Sequence, residues 1–148
     1  MSKEVVWKKF DELTTKELYA ILRLRSEVFV VEQACAYLDP DGKDLDAYHA
    51  QYLENDELVG YLRLLQPTVN AHFSSLGRIV LNQKYRGSGL GLSLIQSGIN
   101  FSLDNFEGMV IKIGAQLALQ SYYASFGFKA CSAPYDDFGI MHIDMELI

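Results

Sequence analysis

At 148 residues, 49% hydrophobic and 22% charged, the chain has the size and make-up of one globular domain, residues 1–148, able to bury a core without staples. A formal charge of −6 excludes a nucleic-acid surface, which needs clustered Lys and Arg, and no apolar run approaches the roughly 18 residues of a membrane span. With no signal-peptide core after Met-Ser-Lys-Glu, and with only Cys35 and Cys131, which lack C-x-x-C or His partner spacing, the expectation is a cytoplasmic protein with reduced thiols and no bound metal.

In chain order, Val5, Val6 and Trp7 predict a first strand, and Phe10–Leu13 lead to a helix start. Thr14 and Glu17 have capping-box spacing, and Leu13 and Leu18 occupy the staple positions. Leu18, Ile21, Leu22 and Val28 share one face, which predicts a helix from Thr15 to about Phe29. Phe29–Tyr37 is too apolar for an ordinary exposed loop, yet it runs into an acidic loop with Asp39, Asp41, Asp44 and Asp46. That pairing suggests the wall of a small-molecule site. Residues 1–60 hold 13 acidic and 7 basic side chains against 6 and 6 in the remainder, so the acidic excess favours a cationic acceptor, although a solvated acidic surface explains it equally well.

Ala47–Leu53 and Leu58–Leu65 alternate and are joined by Glu54–Glu57, which predicts an antiparallel hairpin. Residues 67–75 read as a loop returning to the central strand, where Ile79, Val80 and Leu81 form a buried β-branched run. Three glycines at alternate positions follow, Gly87, Gly89 and Gly91, and then Leu92, Ile95 and Ile99 at helical spacing. Arg86–Gly91 therefore lie at the N-terminus of a helix from about Ser88 to Phe101, with free N–H groups suited to an anion. The absence of side chains lets a phosphate approach the backbone, and Arg86 adds a charge of bidentate geometry. The order G-x-G-x-G is not the G-x-G-x-x-G of dinucleotide folds, and no G-K-[ST] of a P-loop is present. A packing turn remains the plain alternative for the glycines alone. Met109–Ala115 is a further buried strand, Leu117–Phe126 a helix stopped by Gly127, Phe128–Cys131 the start of a strand, Tyr135–Gly139 a turn and Ile140–Leu147 the last strand.

The stretch R-G-S-G-L-G resembles the acetyl-coenzyme A signature of the GNAT superfamily of N-acetyltransferases, carried here by Arg86, Gly89 and Gly91. Tyr123-Ala-Ser-Phe-Gly127-Phe128 resembles the family's Y-x-x-x-G-F. Leu24–Tyr37, Asp41-Gly42, Asp44, His49, Tyr61–Leu65, G-R-I-V from Gly77, G-A-Q ending at Gln116 and G-I-M-H from Gly139 are similar to its ElaA-like branch, over nearly the whole chain. The resemblance implies an α/β fold: a mixed central sheet of six to seven strands, helices on both faces, and two parallel strands splayed to admit the cofactor's pantetheine arm. It implies a cofactor site at Ile79, Val80, Leu81, Arg86, Gly87, Ser88, Gly89, Leu90 and Gly91, with Gln116, where many relatives carry Asn, along the arm. Tyr123 is implied as the proton donor to the departing thiolate.

The activity implied is transfer of an acetyl group from acetyl-CoA directly to an amine, with a non-catalytic acyl-CoA-binding regulatory module as the alternative. An amine of pKa about 10.4 costs about 4 to 5 kcal/mol to deprotonate at pH 7, so a base or a desolvated site must help. Glu32 and His49 rank equally as base and His142 third, while each histidine is as readily a hydrogen-bonded structural residue. Arg63 and Arg78 sit in predicted strands and need partners: an Asp of the acidic loop or Glu32 on the plain reading, an acceptor carboxylate on the functional one. The expected acceptor is a small-molecule or peptide amine, and a homodimer is compatible with the sequence.

Overall fold

A computed structural model describes residues 3–148. Eight strands form one mixed sheet: β1 (Lys3–Lys9), β2 (Ala47–Glu54), β3 (Glu57–Leu65), β4 (Phe73–Leu81), β5 (Val110–Gln116), β6 (Lys129–Ala130), β7 (Tyr135–Asp137) and β8 (Ile140–Leu147). They run in the order β1-β2-β3-β4-β5-β8-β6, with β7 also on β8. The expected six to seven strands become eight because the last edge is interrupted: β6 pairs with Met145 and Glu146, and β7 pairs with Ile140–His142 on the same side of β8. What reads as a turn at 135–139 is β7 plus a two-residue turn, Phe138 and Gly139, both with φ > 0. Asn55 and Asp56 make the same kind of turn in the expected hairpin, as the twist of paired strands demands.

Helix α1 (Thr15–Arg25) is capped as its sequence predicts: Glu17 N–H donates to Thr14 Oγ1 at 3.1 Å, and Thr14 N–H donates to Glu17 Oε1 at 2.8 Å. It does not stop near Phe29. Residues Ser26–Glu32 continue as a π-helix, whose wider coil carries Glu32 round to Arg86. α2 (Leu90–Asn105) begins one turn later than the first free glycine, and α3 is only Gln120–Ala124 after a 3₁₀ turn at Leu117–Leu119, with Gly127 at φ 102 ending the segment.

Helices cover both faces. Leu62, Leu64 and Leu76 pack against Leu94, Ile95 and Ile99 of α2, while Tyr61 and Val80 pack against Ile21, Leu24 and Val28 on the α1 side. Gly98 permits the α2 contact: a Cβ there would lie 3.1 Å from Leu62 Cδ1 and 3.2 Å from Leu76 Cδ1. Trp7 stacks on Phe101 at 4.1 Å and donates to Ser97 Oγ, tying the edge strand to α2.

Candidate active site

Parallel pairing of β4 with β5 ends at Leu76 and Ile113, although β4 runs on to Leu81 and β5 to Gln116. Past that point the strands separate. Between Arg63↔Gly77 and Tyr61↔Val80 the β3–β4 register gains a residue on β4, and Arg78 takes φ 49 there. A bulge with a non-glycine residue in the left-handed region bends β4 at the mouth of the gap, a distortion held in place by the surrounding structure.

The gap opens into a cleft of about 660 Å³. Its floor includes Ile79, Gly114, Gln116 and Tyr123, and its far wall includes Phe29, Tyr37, Arg63, Arg78, Phe138 and His142. Tyr123 is 8% exposed, and burial, helped by Tyr122, pushes its phenol up to about 12. It is therefore a reserve of protons at neutral pH.

Beside this cleft the glycine loop has the form its residues predict. Gly87 and Gly89 take φ 77 and 82, and a Cβ at either meets nothing within 4 Å. Gly89 caps α2 without any side-chain bond, so the first N–H groups of the helix are left without intrahelical partners. Ser88 Oγ donates back to Tyr85 O, and Leu90 is buried beneath the turn. The construction fits a diphosphate: room above Gly87 and Gly89, and a helix start with no side-chain cap.

Arg86 is not idle in this state. Its guanidinium holds Glu32 in two bonds, 2.6 and 2.9 Å, and also donates to Leu81 O. Glu32 is thereby held below the usual carboxylate range, chiefly by the hydrogen bond from Arg86, and it does not line the cleft. This geometry withdraws the expectation of Glu32 as base. His49 is withdrawn as well: it is 1% exposed, Nδ1 faces Tyr61 OH and Nε2 faces Asp44 O. Burial lowers its pKa despite the bond to the Asp44 carbonyl. Val80 turns its side chain into the α1 core, so it offers the gap no side chain.

The acidic loop carries little free charge. Arg25, which is fully buried, binds Asp39 Oδ2 and Asp44 Oδ1 at 2.8 Å each; Arg63 grips both oxygens of Asp41 and reaches Asp44; Arg78 Nη2 donates to Asp39 O and Asp41 Oδ2. Arg78 Nε lies 2.9 Å from Asp39 Oδ1 but out of line for a hydrogen bond, and Arg63 Nε is buried without one. Three guanidinium groups thus face three carboxylates. The pairing expected for Arg63 and Arg78 with loop aspartates is present, and it removes the argument for a cationic acceptor from this loop. Arg25 was not singled out in the sequence, though a signal exists: it lies four residues after Ile21 and three before Val28, on the buried stripe.

Tyr123 and Gln116 both line the cleft, although Gln116 is the last residue of β5 and only Tyr123 lies on a helix, so they are not two turns apart on one helical face. His142 lies opposite Gln116 in the β5–β8 register. The hairpin that carries it is fastened to the far wall by Cys35 Sγ, 3.3 Å from Phe138 O, and by Tyr37 against the Phe138 ring.

Comparison with known proteins agrees with this architecture. The family model described as an acetyltransferase (GNAT) domain matches residues 23–148. A UPF0039 protein of Synechocystis is 40% identical over 94% of this chain and 91% of its own. Protein ElaA of Escherichia coli is 39% identical over 91% and 90%, and its crystal structure superposes with a TM-score of 0.93, covering 99% of this chain and all of its own. An acyl-CoA N-acyltransferase from Pseudomonas aeruginosa superposes at 0.95 with 38% identity, over 99% of this chain and all of that one. The chain belongs to the GNAT acetyltransferase family, in its ElaA-like branch, and is an acyltransferase.

Proposed function

We propose that this protein is an acetyl-CoA-dependent N-acetyltransferase of the cytoplasm, acting directly on the amine of a small molecule or peptide. The observation that carries the reading is the parting of β4 from β5 beyond Leu76 and Ile113, with the uncapped start of α2 on one side and Tyr123 on the other. Acetyl-CoA would supply the acyl group as an activated thioester. The amides of Gly87–Gly91, with Arg86 once it leaves Glu32, would hold the diphosphate; Leu90 contributes its N–H from a buried position. The free edge of Ile79–Leu81 offers backbone donors and acceptors to the pantetheine amides, and Gln116 offers its side chain further along.

Tyr123 acts as the acid. A phenol kept protonated by burial can donate a hydrogen bond, and its proton as the C–S bond breaks, to the sulfur that leaves. Arg63 and Arg78 act as fixed walls of the acceptor end, held by the aspartates of the loop. The test is a screen of primary amines that follows thiol release from acetyl-CoA. Tyr123→Phe should bind coenzyme A as the wild type does and lose about 10²-fold in kcat, the usual yield of one positioned acid. Undiminished turnover in that variant removes Tyr123 from the mechanism.

A further inference from the structure

We propose that His142 is the general base of the transfer, an inference that rests on the N-acetyltransferase reading above. Among the described residues lining the cleft it is the one imidazole. Its Nδ1 lies 2.7 Å from Ile140 O. A carbonyl oxygen only accepts, so Nδ1 carries hydrogen, and in the neutral ring the lone pair is on Nε2. No described residue occupies Nε2. A base in this state is ready to receive a proton without first turning its ring.

The neighbours hold that arrangement. The ring lies on Tyr135 of β7, 6.1 Å between centroids and 24° between planes. The Tyr135 hydroxyl donates to Asp144 Oδ1 at 2.6 Å, so the proton of that phenol is committed to the carboxylate and not to the imidazole. On β5 the facing group is the uncharged Gln116. From α3 the cleft receives Tyr123, an acid. Across it stand Asp41, already bound by Arg63 and Arg78, together with Lys43, and at the hairpin turn stands Asp137. Asp41 is pulled well below the carboxylate range by its arginines, although burial acts in the other direction, so it is a poor proton acceptor.

In the step proposed, the amine nitrogen attacks the thioester carbonyl carbon. The new C–N bond forms and the C–S bond breaks; the nitrogen's proton passes to His142 Nε2, and the thiolate takes a proton from Tyr123. His142 and the Tyr123 phenolate then return to their starting states by exchange with solvent.

Thiol release from acetyl-CoA would be measured with 2-phenylethylamine and with hydroxylamine, which is already neutral at pH 7, for wild type, His142→Gln and the control Asp137→Asn. We expect His142→Gln to lose about 10²-fold in kcat with the alkylamine at neutral pH, with KM for acetyl-CoA within twofold, a smaller loss with hydroxylamine, and the acid-side fall of the wild-type pH profile absent. Imidazole in solution should restore part of the activity of His142→Ala. Independently of turnover, ¹⁵N spectra of the wild type should show the Nδ1–H tautomer. An Nε2–H tautomer, a His142→Gln enzyme of wild-type activity, or loss of the acid limb in Asp137→Asn instead overturns the proposal while leaving the acetyltransferase reading standing. A wild type silent with both amines and across the screen of primary amines brings down the two together.

Discussion

Two regions beside the cleft are built on opposite rules. At the acidic loop, Arg25, Arg63 and Arg78 meet Asp39, Asp41 and Asp44, and nearly every donor faces an acceptor of the chain itself. At the glycine loop the helix start is uncapped, the strand edge is unpaired beyond Leu76, and Arg86 is held by one exposed carboxylate and the Leu81 carbonyl. The difference teaches where to look for a ligand. Buried ions that satisfy one another hold the structure in place, whereas polar groups left open at the surface of a gap are positioned for something the chain does not contain.

That contrast can be broken most forcefully at Asp44, which is shared by Arg25 and Arg63. Asp44→Ala leaves two buried guanidinium groups short of a partner and should cost about 3–5 kcal/mol, read as a lowered urea midpoint; a loss below about 1 kcal/mol would mean the network is as weak as a surface pair. Gly89→Ala probes the other region. Its φ of 82 is unfavourable for an L-residue, so stability should fall by about 1 kcal/mol. Coenzyme A affinity, measured by calorimetry, should fall about tenfold, or about 1.4 kcal/mol, because the added methyl points into the space above the loop. A loss of stability with coenzyme A affinity unchanged would mean that the loop is merely a turn.

Acidity separates the two regions as well. Burial lowers the His49 pKa from 6.5, so the unfolded chain takes up that proton first as pH falls. The contribution of neutral His49 is complete above about 6.5 and is lost as pH drops through the lowered folded value. A second loss follows from below 4.5 towards 2, where Glu17 titrates: burial opposes its shift, but bonds from Thr14, Gln51 and Lys8 hold it at about 2. Asp41 and Asp44 add to that second step. Urea midpoints between pH 3 and 8 should show both steps, and His49→Gln should erase the upper one.

The smallest effect concerns Glu32. As an exposed pair its bond to Arg86 is worth about 0–1 kcal/mol, so Glu32→Gln should tighten coenzyme A binding by about two- to fivefold by freeing the guanidinium. Weaker binding would instead mean that Glu32 aims Arg86.

What was legible in the sequence was local. The Thr14–Glu17 cap, the Asn55-Asp56 turn and the glycines before α2 each depend on residues within one or two helical turns, and each stands in the structure as expected. What was not legible depended on distant partners. Counting charges made the acidic loop look like a trap for cations, because nothing in the count says that Arg25, Arg63 and Arg78, from three separate elements, converge on it. His49 and Glu32 looked available for the same reason: Tyr61, the Asp44 carbonyl and Arg86 reach them only after folding. The apolar face predicted helix through Val28 but not its change to a π-helix, whose wider coil carries Glu32 round to Arg86.

The open edge of Ile79–Leu81 belongs to the main chain, which every residue except proline presents in the same form. Side chains there can drift while the row of amides and carbonyls stays the same. A carrier held by that row, as proposed above, would be insulated from mutation, whereas the molecule it meets would be judged by cleft residues such as Phe29, Tyr37 and Phe138. New acceptors can therefore arise by exchanging a few residues on one wall, with no need to rediscover the donor.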